Sequence, residues 1–454
     1  MSYRDDEKRW KRIQDLLAAE ASGKTVQPAV SQRTLFGIPS TVERVIAKTV
    51  AEDEEARRMK RSRNGNAQKI VHPLDPVFDE RSRVLVLGSM PSPKSREVGF
   101  YYGHPQNRFW RVLSELFDEP VADTNERRRD QLLRHHIALW DVLASCEIEG
   151  ASDASISNAV PNDLSVILEH APVEAVFCTG AKAAELYTRH IEPRTGIACT
   201  KLPSTSPANA GTGLRELVEA YGALLPHLHE PTPCTFDVPD VVNLEKTIDA
   251  SGTSLAELMD RAGHALAYHV HKSHPRANVT VLCGNGNNGG DGWVAAQALA
   301  EAGHKVSLIC AREPQELSAH PAREAAESCF KHLMTLDVPV LVRPDEQALS
   351  NALSSADVII DALLGTGFSG QTVKAPFDAW IAHANARREN GAVVFSADAP
   401  SGLSAQTGDA SDPCIRADET VTMIVSKPGL EGKRAQPYVG KLHVAPLVYI
   451  EPFL

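Results

Sequence analysis

At 454 residues, with 43% apolar and 23% charged side chains, the chain has the composition of a soluble protein and is too long for one compact core, so two domains plus extra segments are expected. A formal net charge of −11 excludes a wholly basic DNA coat and leaves only local charge as a guide to nucleic-acid contact. The N-terminus is polar from Met1 to Arg9, no run approaches the ~18 apolar residues of a membrane span, and the eight cysteines include no C-x-x-C pair; the cysteines suggest neither a zinc site nor a disulfide framework, and a reduced cytoplasmic protein is expected.

In chain order, residues 1–70 carry many charges and few large apolar side chains, which predicts a charged, partly helical or disordered extension with helical patches at 10–19 and 41–59. Its basic run, Arg57, Arg58, Lys60, Arg61, Arg63 and Lys69, serves equally as a solvated linker or as an approach to a nucleic-acid backbone. The run RVLVLG at 83–88 stops at a glycine and predicts a buried strand feeding a loop; 173–180 predicts a second. Helical periodicity at 107–117 and 126–135 lies between them, so a parallel sheet is implied over 71–228, closed by helix formers at 214–228. The Pro-rich polar stretch at 229–237 reads as a linker. From 238 the alternation restarts, with a helix around 255–272, a strand at 279–283 running into GNGNNGGDG, and a helix at 294–302. Strands follow near 306–310, 338–342, 358–363, 392–397, 419–424 and 442–444, the pattern of a doubly wound sheet over 238–454.

Three polar loops mark the first domain: Gly88-Ser89-Met90-Pro91-Ser92-Pro93-Lys94-Ser95, then Tyr101-Tyr102-Gly103-His104-Pro105-Gln106-Asn107-Arg108-Phe109-Trp110, and Leu202-Pro203-Ser204-Thr205-Ser206-Pro207-Ala208-Asn209. Two follow a strand directly, and such loops gather at one edge of a parallel sheet, where ligands bind. With Trp140-Asp141-Val142-Leu143 and Pro161-Asn162-Asp163, they resemble the hypoxanthine-DNA glycosylase family of the uracil-DNA glycosylase superfamily. The resemblance implies hydrolytic excision of deoxyinosine's base from DNA, with DNA as partner and no cofactor. Such chemistry needs a base turned out of the stack into a pocket. Tyr101, Tyr102 and Phe109 are candidates for its aromatic surface; Gly88, Ser89, Pro91, Ser92, His104, Pro203, Ser204, Thr205 and Ser206 are candidates for base and phosphate contact. By resemblance Asn107 is the catalytic amide, orienting water or stabilising the departing base. Asn107 also precedes an apolar helical pattern and suits a helix N-cap, and both roles are compatible. His104, before a proline, also reads as loop packing, and 203–207 as a surface turn. Thr179 stands where a relative carries an Asn close to the base edge, so a uracil-preferring enzyme is the alternative.

In the second domain, the literal G-x-G-x-x-G match after a strand suits a phosphate near backbone N–H groups, and an ordinary dinucleotide site would want an acid near Ala311-Arg312-Glu313. Leu258-Met259-Asp260-Arg261-Ala262-Gly263, Asn287-Asn288-Gly289-Gly290-Asp291-Gly292, Asp361-Ala362-Leu363-Leu364-Gly365-Thr366-Gly367, Asp398-Ala399-Pro400-Ser401-Gly402 and Lys427-Pro428-Gly429 together resemble the NAD(P)H-hydrate epimerases. That resemblance implies interconversion of the R and S forms of hydrated NADH and NADPH. Asn287, Asn288, Gly289, Gly290, Asp291, Gly365, Thr366, Gly367, Phe368, Ser369, Gly370, Gln371 and Asp398 would contact the hydrated cofactor, and Asn288, Asp361 and Ser401 would bind potassium, a cation that takes oxygen ligands. Proton transfer at the reacting carbon makes Asp398 the candidate catalytic carboxylate. Plainer readings exist: Asn288 as a left-handed turn residue, Asp361 as a strand-end cap, Ser401 as a turn hydroxyl, Asp398 as an acceptor for turn amides. Ala399 replaces a branched residue usual in the family, a change expected in packing. No dehydratase domain follows before Leu454, so repair of the S hydrate is expected to need a separate protein. Two three-layer α/β domains are therefore expected, a uracil-DNA-glycosylase-like domain followed by a Rossmann-like YjeF N-terminal domain, with a homodimer through the epimerase domain as one assembly to look for. The rival reading is a glycosylase fused to a non-catalytic nucleotide sensor or interaction module.

Overall fold

The computed structural model describes residues 68–149, 152–228, 235–369 and 372–453. The helical patches at 10–19 and 41–59, the basic run apart from Lys69, most of the linker, and Gly370 and Gln371 lie outside the described residues.

The first domain contains β1 (Gln68–Val71), β2 (Val84–Gly88), β3 (Ile137–Asp141), β4 (Leu143–Ile148), β5 (Ser157–Pro161), β6 (Ala175–Thr179) and β7 (Cys199–Leu202). Strands β3-β2-β6-β7 form a parallel sheet in that order. The run at 84–88 is central and buried throughout because strands flank it on both sides. Helices α1 (Pro93–Val98), α2 (Phe109–Phe117), α3 (Asn125–Arg134), α4 (Ala181–His190) and α5 (Leu214–Tyr221) complete the layers. A second, antiparallel sheet, β1-β4-β5, is absent from the sequence-based reading. Its outer strands are half exposed and lack clean alternation, and β1 begins inside the stretch read as extension. The final helix is also shorter than expected, giving way at Gly222 to a 3-10 turn that contains Pro226.

The second domain carries β8 (Asn278–Cys283), β9 (Lys305–Cys310), β10 (Val340–Val342), β11 (Val358–Ala362), β12 (Val393–Ala397), β13 (Glu419–Met423) and β14 (Lys441–Ala445). All seven run parallel in the order β10-β9-β8-β11-β12-β13-β14, so the direction of winding reverses between β8 and β11. Helices α6 (Val238–Ser251), α7 (Leu255–Ser273), α8 (Asn287–Glu301), α9 (His320–Thr335), α10 (Glu346–Ser354) and α11 (Phe377–Glu389) cover both faces. Val358 and Ile360 pack with Leu266 and Trp293 on one face, while Ile359 packs with Leu353 and Trp380 on the other. This alternation explains why the strands read as unbroken apolar runs.

One boundary differs in an instructive way. Helix α8 begins at Asn287, not near 294, so Asn288 sits in helix and its reading as a left-handed turn is corrected. Glycines conceal a helix from periodicity, and here they serve packing: a Cβ on Gly289 would lie 2.1 Å from the Gly284 carbonyl oxygen, and one on Gly290 2.3 Å from Met259 Sδ.

The domains meet along α3 and α7. Arg261 Nη1 donates to Asp130 Oδ2 at 2.9 Å and to the Leu447 carbonyl at 2.8 Å; Arg127 pairs with Asp260 and Lys272 with Asp118. Near the end of the chain Tyr449 returns to the first domain's core and donates its hydroxyl to Asp79. Among the described residues no helix is long and apolar enough to cross a membrane.

Candidate active sites

In the first domain the loops after β2, before α2 and after β7 enclose one cavity, with an open space of about 1470 Å³ including its mouth. Gly88, Ser89, Pro91, Ser92, Tyr101, Tyr102, His104, Asn107, Ser204, Thr205 and Ser206 all line it. Pro203 does not; its carbonyl accepts from the Tyr221 hydroxyl behind the wall. Phe109 is fully buried and stacks under Tyr102, ring centroids 4.0 Å apart, so Tyr102 alone of that pair presents an aromatic surface. The Tyr102 hydroxyl meets Thr179 Oγ1 at 2.9 Å, which places Thr179 on the wall.

Most hydroxyls proposed for phosphate contact already have partners. Ser92 caps α1 by accepting from Ser95 N at 3.1 Å, Ser89 donates to Asp153 at 2.8 Å, and Ser204 accepts from Ser206 N. Thr205 Oγ1 is buried without a partner among the described residues. Asn107 Oδ1 accepts from Phe109 N at 3.0 Å, and among the described residues its amide donors have no partner at the cavity wall. Arg108 was not singled out in the sequence; its guanidinium bonds the carbonyls of Ser206, Asn209 and Thr212, riveting the distant Ser/Thr/Pro loop beside Asn107. Asp141 was quoted only as part of a motif. Its buried carboxylate is held by His72 Nε2 at 2.9 Å, and a Cβ on Gly88 would lie 2.2 Å from Asp141 Oδ1, so that close approach requires glycine. Burial, followed by the Asp141 charge, raises the Asp153 pKa.

The second cavity lies where the winding reverses, and its open space is about 1450 Å³. Asn287, Asn288, Asp291, Gly365, Thr366, Gly367, Phe368 and Asp398 line it, whereas Gly289 and Gly290 lie behind and Ser369 is off the wall. Residues 311–313, which an ordinary dinucleotide site would use, are also absent from it. Asp398 follows β12 with φ 60. Its Oδ1 accepts from Lys427 Nζ at 2.6 Å, from Thr422 Oγ1 at 3.1 Å and from Met423 N at 3.3 Å, so a buried ammonium exceeds any turn amide as its partner. Burial pushes the Asp398 carboxyl up, but Lys427 and these hydrogen bonds outweigh it and hold its pKa below the ordinary value. Asp291 goes the other way. Burial first, then the charges of Asp398 and Glu245, raises it well above the carboxylate range. Glu245 of α6 shares the wall and is raised by burial and Asp398; no motif drew attention to it.

Beside this wall, Ser401 Oγ and N bond Asp361, which also takes the Ser396 hydroxyl at 2.9 Å. Asn288 approaches the same loop, since a Cβ on Gly365 would lie 3.3 Å from Asn288 Oδ1. Both side-chain polar atoms of Asn288 are buried without partners among the described residues. A buried amide oxygen without a partner is a donor that suits an oxygen-seeking cation such as potassium.

Two parallel-sheet domains with polar cavities at the carboxyl edges of their strands define a double α/β protein of nucleotide-binding type. A family model described as YjeF-related protein N-terminus matches residues 255–429, and one described as uracil DNA glycosylase superfamily matches 76–225. The bifunctional NAD(P)H-hydrate repair enzyme Nnr of Coxiella burnetii is 39% identical over 211 residues, 46% of this chain and 40% of that protein. The NAD(P)H-hydrate epimerase of Pirellula staleyi is 30% identical over 187 residues, 41% of this chain and 80% of that protein. A Methanosarcina acetivorans protein solved by NMR and provisionally described as a uracil DNA glycosylase is 31% identical, covering 35% of this chain and 99% of that one, with a TM-score of 0.31. The chain belongs to the NAD(P)H-hydrate epimerase family through its second domain and carries a uracil DNA glycosylase superfamily domain before it. It spans 40% or less of the length of the first three curated relatives it matches.

Proposed function

We propose that the second domain epimerises hydrated NADH and NADPH and that the first excises a deaminated base, hypoxanthine foremost, from DNA. The observation that carries the epimerase reading is the pair of carboxyls in one cavity whose pKa values are driven apart, that of Asp398 lowered by its bond to Lys427 and that of Asp291 raised by burial. Asp291 donates its proton to the hydroxyl on the carbon beside the ring nitrogen. The C–O bond breaks with its electrons on oxygen, water departs, and the nitrogen lone pair stabilises the cation. Asp398 then takes a proton from water adding to the opposite face. Bound near Asn288, Asp361 and Ser401, potassium would supply positive charge that orders the Leu363 to Gly367 turn against the substrate.

In the first domain Asn107 has its oxygen committed to Phe109 N, so its free donors favour stabilising the departing base over activating water. The glycosidic bond breaks with its electrons going to the base, the sugar becomes cation-like, water adds to the sugar carbon, and the proton that water loses neutralises the departed base anion. The Asp141 carboxylate, fixed by His72, offers negative charge to that cation. Hypoxanthine is preferred over uracil in this reading on the family resemblance, with Thr179 as the wall residue that sets the choice. The test is purified protein given R-NADHX and, separately, DNA carrying inosine, uracil or xanthine in single and double strands. Turnover of R-NADHX and excision of inosine above uracil are expected; loss of neither substrate defeats the proposal.

A further inference from the structure

Where the two domains meet, Asp118 at the end of α2, His269 of α7 and His443 of β14 bring one carboxylate and two imidazoles together, with their ligand atoms all within 4.8 Å of one another. We propose that these three residues bind a zinc-class divalent cation that bridges the glycosylase and epimerase domains. The donor set suits it: two imidazoles and one carboxylate, with a fourth position for water, favour zinc or a neighbouring first-row ion over magnesium or calcium. A second observation points the same way. His443 Nε2 lies 2.6 Å from Glu419 Oε2, a carboxylate behind the ring of the kind that holds metal-bound histidines in place. His269 is buried, and its ring lies 4.3 Å from that of His443, centroid to centroid. Asp118 is the exposed member, its side chain 52% exposed. Ligands on tetrahedral zinc are roughly 3.3 Å apart given bonds of ~2.0–2.1 Å, so the cluster need close by at most about 1.5 Å. Lys272 Nζ, 2.7 Å from Asp118 Oδ1, occupies one oxygen and is the cation a metal would compete with.

The test uses the full chain stripped with a chelator and titrated with cobalt and then zinc, read by calorimetry and by visible absorption. One equivalent of cobalt with the bands of a low-coordinate site, displaced by zinc, is expected, together with a rise in melting temperature on loading. Asp118→Asn, on an exposed side chain, should weaken binding tenfold or more, His443→Ala should abolish the cobalt bands, and Lys272→Ala should tighten binding. Retained glycosylase and epimerase turnover shows that each variant is folded. A folded wild-type chain without saturable cobalt bands, an unchanged affinity in Asp118→Asn, or a weakened one in Lys272→Ala overturns the site.

Discussion

Tyr102, Asp398 and Ile424 all stand on cavity walls, and all adopt a left-handed backbone, with φ of 50, 60 and 66. Such a conformation costs a non-glycine residue about 1–3 kcal/mol, and it is tolerated where surrounding bonds over-determine it. For Asp398 those bonds come from Thr422, Met423 and Lys427. Asp398→Asn is expected to lower epimerisation by about 10²–10⁴-fold and to destabilise the domain by roughly 3–5 kcal/mol, because Lys427 is left buried without its charge partner. Adding Lys427→Met should restore much of the stability, read by urea unfolding, and none of the turnover. Asn107 permits a sharper choice. Asn107→Ala should cost about 10²–10³ in excision rate, and Asn107→Asp should do no better if the amide donors act on the departing base. An Asp variant close to wild type would assign Asn107 to water instead.

At the level of elements, the tightest packing is around the start of α8. A Cβ on Gly284 would lie 1.8 Å from the Leu363 carbonyl oxygen, so Gly284→Ala must push the β8 and β11 loops apart. A loss of at least 2–3 kcal/mol is expected by chemical denaturation, with the glycosylase cavity untouched. Glu119, just past α2, carries a different liability. It is buried and paired with both Arg134 nitrogens at 2.8 and 2.9 Å and with His135. Burial raises its carboxyl, but Arg134 and His135 outweigh that and bring it from 4.5 to about 2. A lowered folded value means that the stabilisation is complete above pH 4.5 and drains away as pH falls toward 2. Glu119→Gln should therefore flatten the acid limb of melting temperature against pH in that window. The inner strands of the second domain, β8, β9, β11, β12 and β13, were readable because both their faces are largely buried, and the edge strands β10 and β14 as short apolar runs although they are only partly buried; β1 and β5, half exposed, carry no comparable run. The motif residues were readable at their loops, yet Glu245, Arg108 and His72 were not. Their contribution lies in partners more than 60 residues away, which no local spacing encodes.

For the whole molecule, Arg261 is the contact to test. It lies in the second domain, within the stretch matched by the YjeF-related family model, and bonds Asp130 of the other domain and the carbonyl of Leu447, a residue of the second cavity's wall. Arg261→Ala is expected to split a single calorimetric unfolding transition into two, because the ion pair joining α3 to α7 is lost while each core stays whole. One transition of unchanged midpoint would mean that the seam is held elsewhere.

Tyr449 has a bearing on how the protein is made. Its ring completes the core of a domain whose sheet ends with β7 at Leu202. At a synthesis rate of ~5–20 residues per second, the ribosome needs roughly ten to forty seconds after that domain has left the tunnel to deliver the missing ring. Until then the nascent chain carries an unsealed apolar notch, which is where a chaperone would find purchase.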